Sequence, residues 1–508
     1  MMASKSHTLN LSLHELLRDY ADVSSFPDLQ LSGLTSNSRE VKKGNVFLAL
    51  SGLTRHAIDF AMDAVKAGAV AIIYDEADDY SQQRIALLSK QLDTLWIPVK
   101  KLAEVSGEIA SRFYHSPSKE FKLIGITGTD GKTSVTHLLV QIFNNMGKVA
   151  GSVGTLGYGV SNRLKMTSFT TPDAISLQSI LFDLNQNECE YVVMEVSSHA
   201  LEQYRVSGCD FDFAVLTNLG SDHLDYHGDH SYYAAAKERL FDMESLSSKV
   251  LNVEDEFGRK LTQKYKGDAV TTYSSNLGRT PQASVQLISS GSTEQGLNIT
   301  AIARGMKIQI QTRLIGSFNI DNLLACISVL QLLGFEREAI EKHMQGLQPI
   351  PGRMEYFAPV NHYPAVVIDF AHTEQALKAC LKSVKNHYKG QLYCVFGCGG
   401  DRDQSKRPKM AAVAERLADH VFVTEDNPRF EPSDNIMKDI LSGFKQPHLA
   451  RVIHDRQTAI ETAIAQAGPD DLVVIAGKGH EQIQIVKDKR LPFSDHYVVR
   501  NMLGSSLK

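Results

Sequence analysis

The stretch FKLIGITGTDGKTS, residues 121–134, runs from an apolar segment into a glycine-rich turn that ends in Gly131, Lys132 and Thr133. A helix-forming segment, SVTHLLVQIFNNM, follows. Glycines let backbone N–H groups turn inward around an anion, and a helix N-terminus adds positive potential. In such a loop Lys132 would reach the β and γ phosphates of a nucleotide, and Thr133 would offer its hydroxyl to Mg²⁺. Strict GxxxxGK[ST] spacing is not met, because position 126 is Ile and Gly125 comes one residue early. A purely structural glycine turn is the competing reading. Further on, Glu195 ends the run YVVME, and His223 follows FAVLTN within TNLGSDHLDYHGDH. With Thr133 they supply a hydroxyl, a carboxylate and an imidazole. That set suffices for Mg²⁺, which takes few protein ligands besides phosphate oxygens and water. The spacing of His223, His227 and His230 also suits zinc, although no HExxH helix signal or nearby cysteine accompanies it.

These groups need elements to hold them. Seven apolar runs each end in a polar or glycine-rich turn: LIGITGTDGKT, YVVMEVSSH, FAVLTNLGSDH, AVVIDFAHT, LYCVFGCGGDRD, VFVTEDNPR and LVVIAGKGHE. Continuous β-branched runs suit strands buried on both faces of a parallel sheet. Ligands of open parallel sheets bind beyond the carboxyl ends of the strands, where all seven turns would lie. Three runs fall in the middle of the chain and four in its last part. Two sheets are therefore expected, with a site between two domains.

Strand-like and helix-like segments alternate throughout, so the predicted fold class is α/β. At 508 residues the chain suits about three domains. The boundaries expected from turn composition and Pro349/Pro351 divide it into 1–101, 102–349 and 350–508. A formal charge of −5 gives no global positive field for nucleic acid or anionic lipid. The six cysteines are scattered without a CxxC pair, which fits a reducing cytoplasm and argues against a disulfide scaffold or a zinc ribbon. The N-terminal segment lacks a continuous apolar stretch, so no signal peptide is expected. No apolar run approaches the ~20 residues that span a bilayer.

GTDGKT, TTPD, MEVSSHALEQYRV, TNLGSDHLDYHGD, AAAKERLF, GRMEYF, DFAHT, GCGGDRD, DNPR and GKGHE occur in one order along this chain. This ordered set, spanning residues 36 to about 481, resembles the Mur ligases of peptidoglycan synthesis. The resemblance implies an ATP-dependent amide-forming ligase of three domains. The N-terminal one would bind the UDP end of the substrate, and a central P-loop ATPase domain with a mainly parallel sheet would follow. A C-terminal Rossmann-like domain would bring the incoming amino acid.

Residue by residue, the resemblance implies further roles. Ser36 and Ser38 match uridine-pocket positions, with Asn37 where the family usually has an acidic residue. Thr170, Thr171, Ser197, Gln203 and Arg205 match positions that bind the muramoyl-dipeptide part. Gly128, Thr129, Asp130, Gly131, Lys132, Thr133, Ser134, Asn319, Arg353 and Asp369 match nucleotide-binding positions, and Asn322 shares the asparagine motif. Asp130 replaces the family's usual Asn, and Phe318 replaces the His before Asn319. Lys237, otherwise an ordinary helix lysine, matches the residue that becomes N6-carboxylated by CO₂. A carbamate would be an anionic ligand beside Mg²⁺, where an ammonium would be repelled. The implied metal ligands are thus Thr133, Glu195, His223 and Lys237.

The segment Asp426, Asn427, Pro428 and Arg429 resembles the diaminopimelate-adding members, whereas lysine-adding relatives carry other residues there. Arg429 could hold the second carboxylate of diaminopimelate through a bidentate pair, with Arg402, Gly477 and Glu481 completing the pocket. The expected reaction joins meso-diaminopimelate to the D-Glu γ-carboxylate of UDP-MurNAc-L-Ala-D-Glu through an acyl phosphate. The enzyme is expected to be a cytoplasmic monomer without nucleic-acid or membrane partners. A lysine-adding ligase stays open as the alternative, whereas a folylpolyglutamate synthase shares the GTxGK loop but not the UDP-muramoyl motifs. From another class, a nucleotide-binding module would need the loop but neither DNPR nor GKGHE.

Overall fold

The computed structural model describes residues 9–52, 55–160, 163–167, 169–220, 229–267, 269–277, 283–293, 296–385 and 390–504. Its three main sheets follow one another along the chain. The first holds four parallel strands, Gly33–Thr35, Asn45–Ala49, Ala71–Asp75 and Leu95–Val99, in sequence order. Val46, Ile73 and Ile97 from this sheet pack with Leu13, Leu16 and Leu17. The helix Leu102–Phe113 adds Leu102, Ile109, Ala110 and Phe113 to the same core. Its amphipathic face thus joins the first sheet, although turn composition put its start at the head of the middle region.

The second sheet has eleven strands. Its parallel part runs in the order Ala150–Gly154, Tyr191–Glu195, Lys122–Thr127, Phe213–Leu216, Ser248–Asn252 and Val270–Ser274. Two antiparallel strands, Gly157–Val160 and Arg163–Lys165, extend one side. On the other side Val285–Thr293 joins in parallel and continues antiparallel through Gly296–Ala303 and Met306–Thr312. The helix Phe318–Leu332 is apolar nearly all round, and Leu323, Leu324, Ile327 and Leu330 are fully buried. A helix of that composition belongs inside a core, here the one shared with Leu138, Val215 and Ile299.

The third sheet runs in the order Glu355–Phe357, Ala365–Asp369, Leu472–Ala476, Leu392–Phe396, His420–Val423 and Ala450–Val452. All its pairings are parallel except the first. Helices cover both faces, giving one core around Val367 and Phe396 and another around Ile368 and Val395. Strands flanked on both sides in this way need the continuous apolar runs seen in the sequence. All seven of those runs form strands, and their turns, so far as they fall among the described residues, lie at the carboxyl ends. Among the described residues, no helix is long and apolar enough to cross a membrane.

Candidate active site

Strand Lys122–Thr127 enters the glycine-rich loop, and helix Lys132–Asn145 leaves it with Gly131 at its N-cap. Gly128 adopts φ +147°, and a Cβ there would fall 1.9 Å from Thr217 Oγ1, so only glycine fits. The neighbouring strand end ties the loop down. Thr217 Oγ1 donates to Asp130 O at 2.6 Å, and the Asp130 N–H donates to Asn218 Oδ1 at 3.0 Å. Gly220 N–H donates to Thr129 Oγ1 at 2.8 Å. Because the Asp130 backbone carries these bonds, its exposed carboxylate is not needed to shape the loop. Lys132 Nζ folds over the loop, donating to Gly128 O at 2.8 Å and Thr129 O at 2.9 Å.

Thr133 and Ser134 lie buried in the first turn of the helix. Thr133 Oγ1 donates to Glu195 Oε2 at 2.9 Å, linking two adjacent strand ends. Glu195, only 1% exposed, also accepts from Thr155 N at 2.8 Å and Thr155 Oγ1 at 3.2 Å. Lys237 comes from helix His230–Glu238, yet it is buried. Its Nζ donates to Gly128 O at 2.9 Å and sits 4.4 Å from the centre of the Tyr233 ring. His223 and His227 lie outside the described residues. Thr133 and Glu195 are hard oxygen donors side by side at a phosphate-type loop, which fits Mg²⁺. Among the described residues, no group of three or more His, Cys, Asp and Glu side chains could hold a metal ion.

Asn322 lies against the loop, its Oδ1 2.8 Å from where a Gly131 Cβ would stand. Its Nδ2 donates to Asn319 Oδ1 at 2.9 Å, and Asn319 Nδ2 donates to Ile315 O at 2.8 Å. Phe318 packs instead against the apolar core of the third sheet.

From that third lobe Arg353 reaches the loop, with Nη2 donating to Thr133 Oγ1 at 3.2 Å. Its guanidinium lies 4.4 Å from the centre of the Phe370 ring, and its buried Nε has no hydrogen-bond partner among the described residues. Burial pulls its pKa below the usual arginine value, against the opposing pull of Asp369, Glu195 and Asp130. A buried cation with an open N–H next to a phosphate-type loop fits an anionic ligand. Asp369 braces the turn behind it, accepting from Met354 N at 2.7 Å and Ala371 N at 2.8 Å. Burial raises its pKa to about 6 despite Arg353.

The residues expected to hold the dipeptide form one connected cluster next to Glu195. Thr171 Oγ1 donates to Glu195 O at 2.9 Å and accepts from Ser197 N at 3.1 Å. Thr170 Oγ1 lies 3.1 Å from Thr155 Oγ1. Arg205 donates through Nη1 to Thr171 O at 3.0 Å and through Nη2 to Gln203 Oε1 at 2.6 Å. Ser36 and Ser38 sit elsewhere, in the first lobe. They line a cavity of about 380 Å³ with Asn37, Arg39, Arg55 and Phe60. Asn37 Oδ1 accepts from Arg39 N at 3.2 Å, shaping that turn without a negative charge.

In the third lobe, three strand-end turns converge. Arg429 Nη1 donates to Gly400 O at 2.8 Å, so DNPR meets GCGGDRD. Burial first, and then the nearby Arg402 cation, lower the Arg429 pKa from its usual value. Among the described residues, neither guanidinium has a carboxylate within ion-pair distance. Asn427 Nδ2 donates to Glu481 Oε2 at 2.9 Å, joining DNPR to GKGHE. Gly477 backs onto Asp426, a Cβ there falling 2.8 Å from Oδ2. Pro428 is buried in the same turn.

Sequence reasoning missed four side chains here. Thr155 and Arg407 carry no motif signal, while Thr217 and Lys478 stood inside quoted motifs without an assigned part. Arg407, fully buried, donates to both Glu431 oxygens at 2.6 Å and to Gly399 O at 3.2 Å, fastening the glycine turn.

Family models match along the length of the chain. Residues 30–114 match "Mur ligase family, catalytic domain", 126–330 the Mur ligase middle domain, and 352–479 the Mur ligase glutamate ligase domain. A UDP-N-acetylmuramoyl-L-alanyl-D-glutamate–2,6-diaminopimelate ligase from Alkalilimnicola ehrlichii is 42% identical over 497 residues, covering 97% of this chain and 99% of that protein. A solved structure of an enzyme with the same name superposes with TM-score 0.70 at 32% identity, covering 98% of this chain and 100% of the other. The MurF ligase of Thermotoga maritima, solved with ADP, gives TM-score 0.62 over 88% of this chain and 94% of its own. At 16% identity that likeness concerns the fold alone. With matching models on all three lobes and a relative of this identity over nearly its whole length, the chain belongs to the Mur ligase family.

Proposed function

We propose that the chain is an ATP-dependent ligase that joins meso-2,6-diaminopimelate to the D-Glu γ-carboxylate of UDP-MurNAc-L-Ala-D-Glu. The observation that carries the choice of amino acid is the pair of guanidiniums, Arg429 and Arg402. Each feels the other's charge, and among the described residues no carboxylate lies within ion-pair distance of either, Asp426, Glu481 and Asp401 acting on Arg429 only from further away. Diaminopimelate brings a second carboxylate to that place, whereas lysine would leave the half-buried Arg429 without one. Beside it the Glu481 carboxylate, tied to Asn427 through Oε2, would meet the ammonium of the amino acid.

The reaction brings anions together. The γ-phosphoryl group of ATP passes to the γ-carboxylate, giving an acyl phosphate and ADP; the amine then attacks the acyl carbon and phosphate leaves. Bond making needs position and charge cancellation more than covalent help. In this reading the loop N–H groups, Lys132 and Arg353 hold the phosphates. Asn319 and Asn322 support the nucleotide side. Thr170, Thr171, Ser197, Gln203 and Arg205 hold the dipeptide, and the cavity at Ser36 and Ser38 holds the uridine end. Thr133, Glu195, His223 and Lys237 as a carbamate would hold Mg²⁺, which supplies further positive charge to the phosphates. The three lobes divide the work between UDP-linked substrate, nucleotide and amino acid. The cytoplasm is the proposed location, in keeping with six free buried cysteines. A monomer is the proposed working unit, since every group invoked belongs to one chain.

The test is an amino-acid panel with purified protein, UDP-MurNAc-L-Ala-D-Glu and ATP, following phosphate release. Turnover is expected with meso-diaminopimelate and not with L-lysine. Faster turnover with lysine would reverse the assignment, and ATP binding without substrate-dependent turnover would favour a binding module.

A further inference from the structure

Lys478 has no exposed surface, yet it stands in the turn between two glycines rather than in an apolar core. Its Nζ donates to Asn427 Oδ1 at 3.0 Å and to Glu481 Oε2 at 2.7 Å, with Asp426 Oδ1 4.0 Å away. Burying an ammonium is costly unless oxygen ligands surround it, and here three side chains of the amino-acid pocket do so.

These contacts fix more than the lysine. An asparagine amide could point either way. Here Oδ1 of Asn427 already accepts from Lys478 Nζ and from Ile485 N at 2.9 Å, so the amide cannot turn over. Its Nδ2 must then face Glu481, to which it donates at 2.9 Å. Glu481 Oε2 consequently accepts two bonds, from Asn427 and from Lys478. Oε1 is the oxygen left to receive a ligand.

We propose that Lys478 is a positioning residue for the amino-acid site: its ammonium orients the Asn427 amide and the Glu481 carboxylate so that one oxygen of Glu481 is presented to the incoming amino acid. The lysine acts through these two side chains and touches no reacting atom. This rests on reading the pocket as the amino-acid site. A lysine that served only the fold would affect all substrates alike. A lysine that aims Glu481 should affect only the amino acid, and only while Glu481 is charged.

The experiment compares the wild type with Lys478→Met, Glu481→Gln and the double variant, measuring KM separately for meso-diaminopimelate, ATP and UDP-MurNAc-L-Ala-D-Glu. Lys478→Met should raise KM for diaminopimelate about tenfold or more, the scale of one lost charge-assisted bond. The other two KM values should stay within about twofold. In the double variant the losses should not multiply, because both substitutions break the same contact. An unchanged diaminopimelate KM, a shift of all three values together, or multiplied losses would overturn the proposal. Should Lys478→Met melt far below the wild type, Lys478→Gln is judged by the same criteria. Absence of turnover by the wild type with any amino acid would instead refute the ligase reading, so the two failures are separable.

Discussion

Lys237 Nζ donates to the carbonyl oxygen of Gly128 at 2.9 Å, joining residues 109 positions apart in the chain. The same oxygen also accepts from Lys132 Nζ at 2.8 Å, so two lysines meet at this point of the phosphate-type loop. If CO₂ adds to the Lys237 amine, the product is an anionic carbamate at the metal site. Lys237→Ala should then lower kcat by about 10²-fold or more, with partial recovery in added formate or acetate. Steady-state rates with and without these carboxylates check it. A variant with wild-type rates would remove the carbamate from the mechanism.

Arg353 crosses between lobes to Thr133. Arg353→Ala should reduce kcat by about 10²-fold, the scale of losing one preorganised donor at the transferring phosphoryl group. Arg353→Lys should recover only part of it, because an ammonium cannot both stack on Phe370 and present a planar fork. Initial rates at saturating ATP are the measurement, and equal rates for wild type and Arg353→Ala would contradict this part of the site.

Arg429→Ala should raise KM for diaminopimelate by about 10- to 100-fold while leaving KM for ATP within about twofold. Kinetics with each substrate varied in turn decide the matter. A diaminopimelate KM that does not move would take the second carboxylate away from this arginine.

Asp369 offers a pH signature. Burial raises its pKa from 3.8 to about 6, so between these values the folded chain holds a proton that the unfolded chain has lost. Its contribution to stability is therefore greatest below pH 4 and is lost as pH rises to about 6. Relative to Asp369→Asn, the wild type should become less stable over that window and change little above it. Melting curves of both proteins from pH 4 to 8 test the sign; a difference that is flat, or that grows with pH in the wild type's favour, would contradict it.

Much of this arrangement was legible in the sequence. Runs such as AVVID and LVVIA announce doubly covered parallel strands, and the chain's own turns mark their carboxyl ends. Motif order then gathered Thr133, Glu195 and the Thr171–Arg205 group, which share one hydrogen-bonded network. What escaped depends on tertiary partners. Thr155 is an unremarkable threonine until the fold sets it on Glu195. The helix Leu102–Phe113 displays an apolar face that does not say which sheet it will cover. Lys478 reads as a surface charge until the approach of Asn427 and Glu481 encloses it. Local pattern reports element type and period, while the identity of a neighbour is a long-range property.

The contact between Arg353 and Thr133 has a consequence for timing. Under the proposed function, the lobe that would carry the amino acid also places the Arg353 guanidinium at Thr133, so a nucleotide bound to the middle lobe would meet its full positive charge only with both lobes together. In the proposed reaction, transfer from ATP would therefore depend on the third lobe being seated against Thr133.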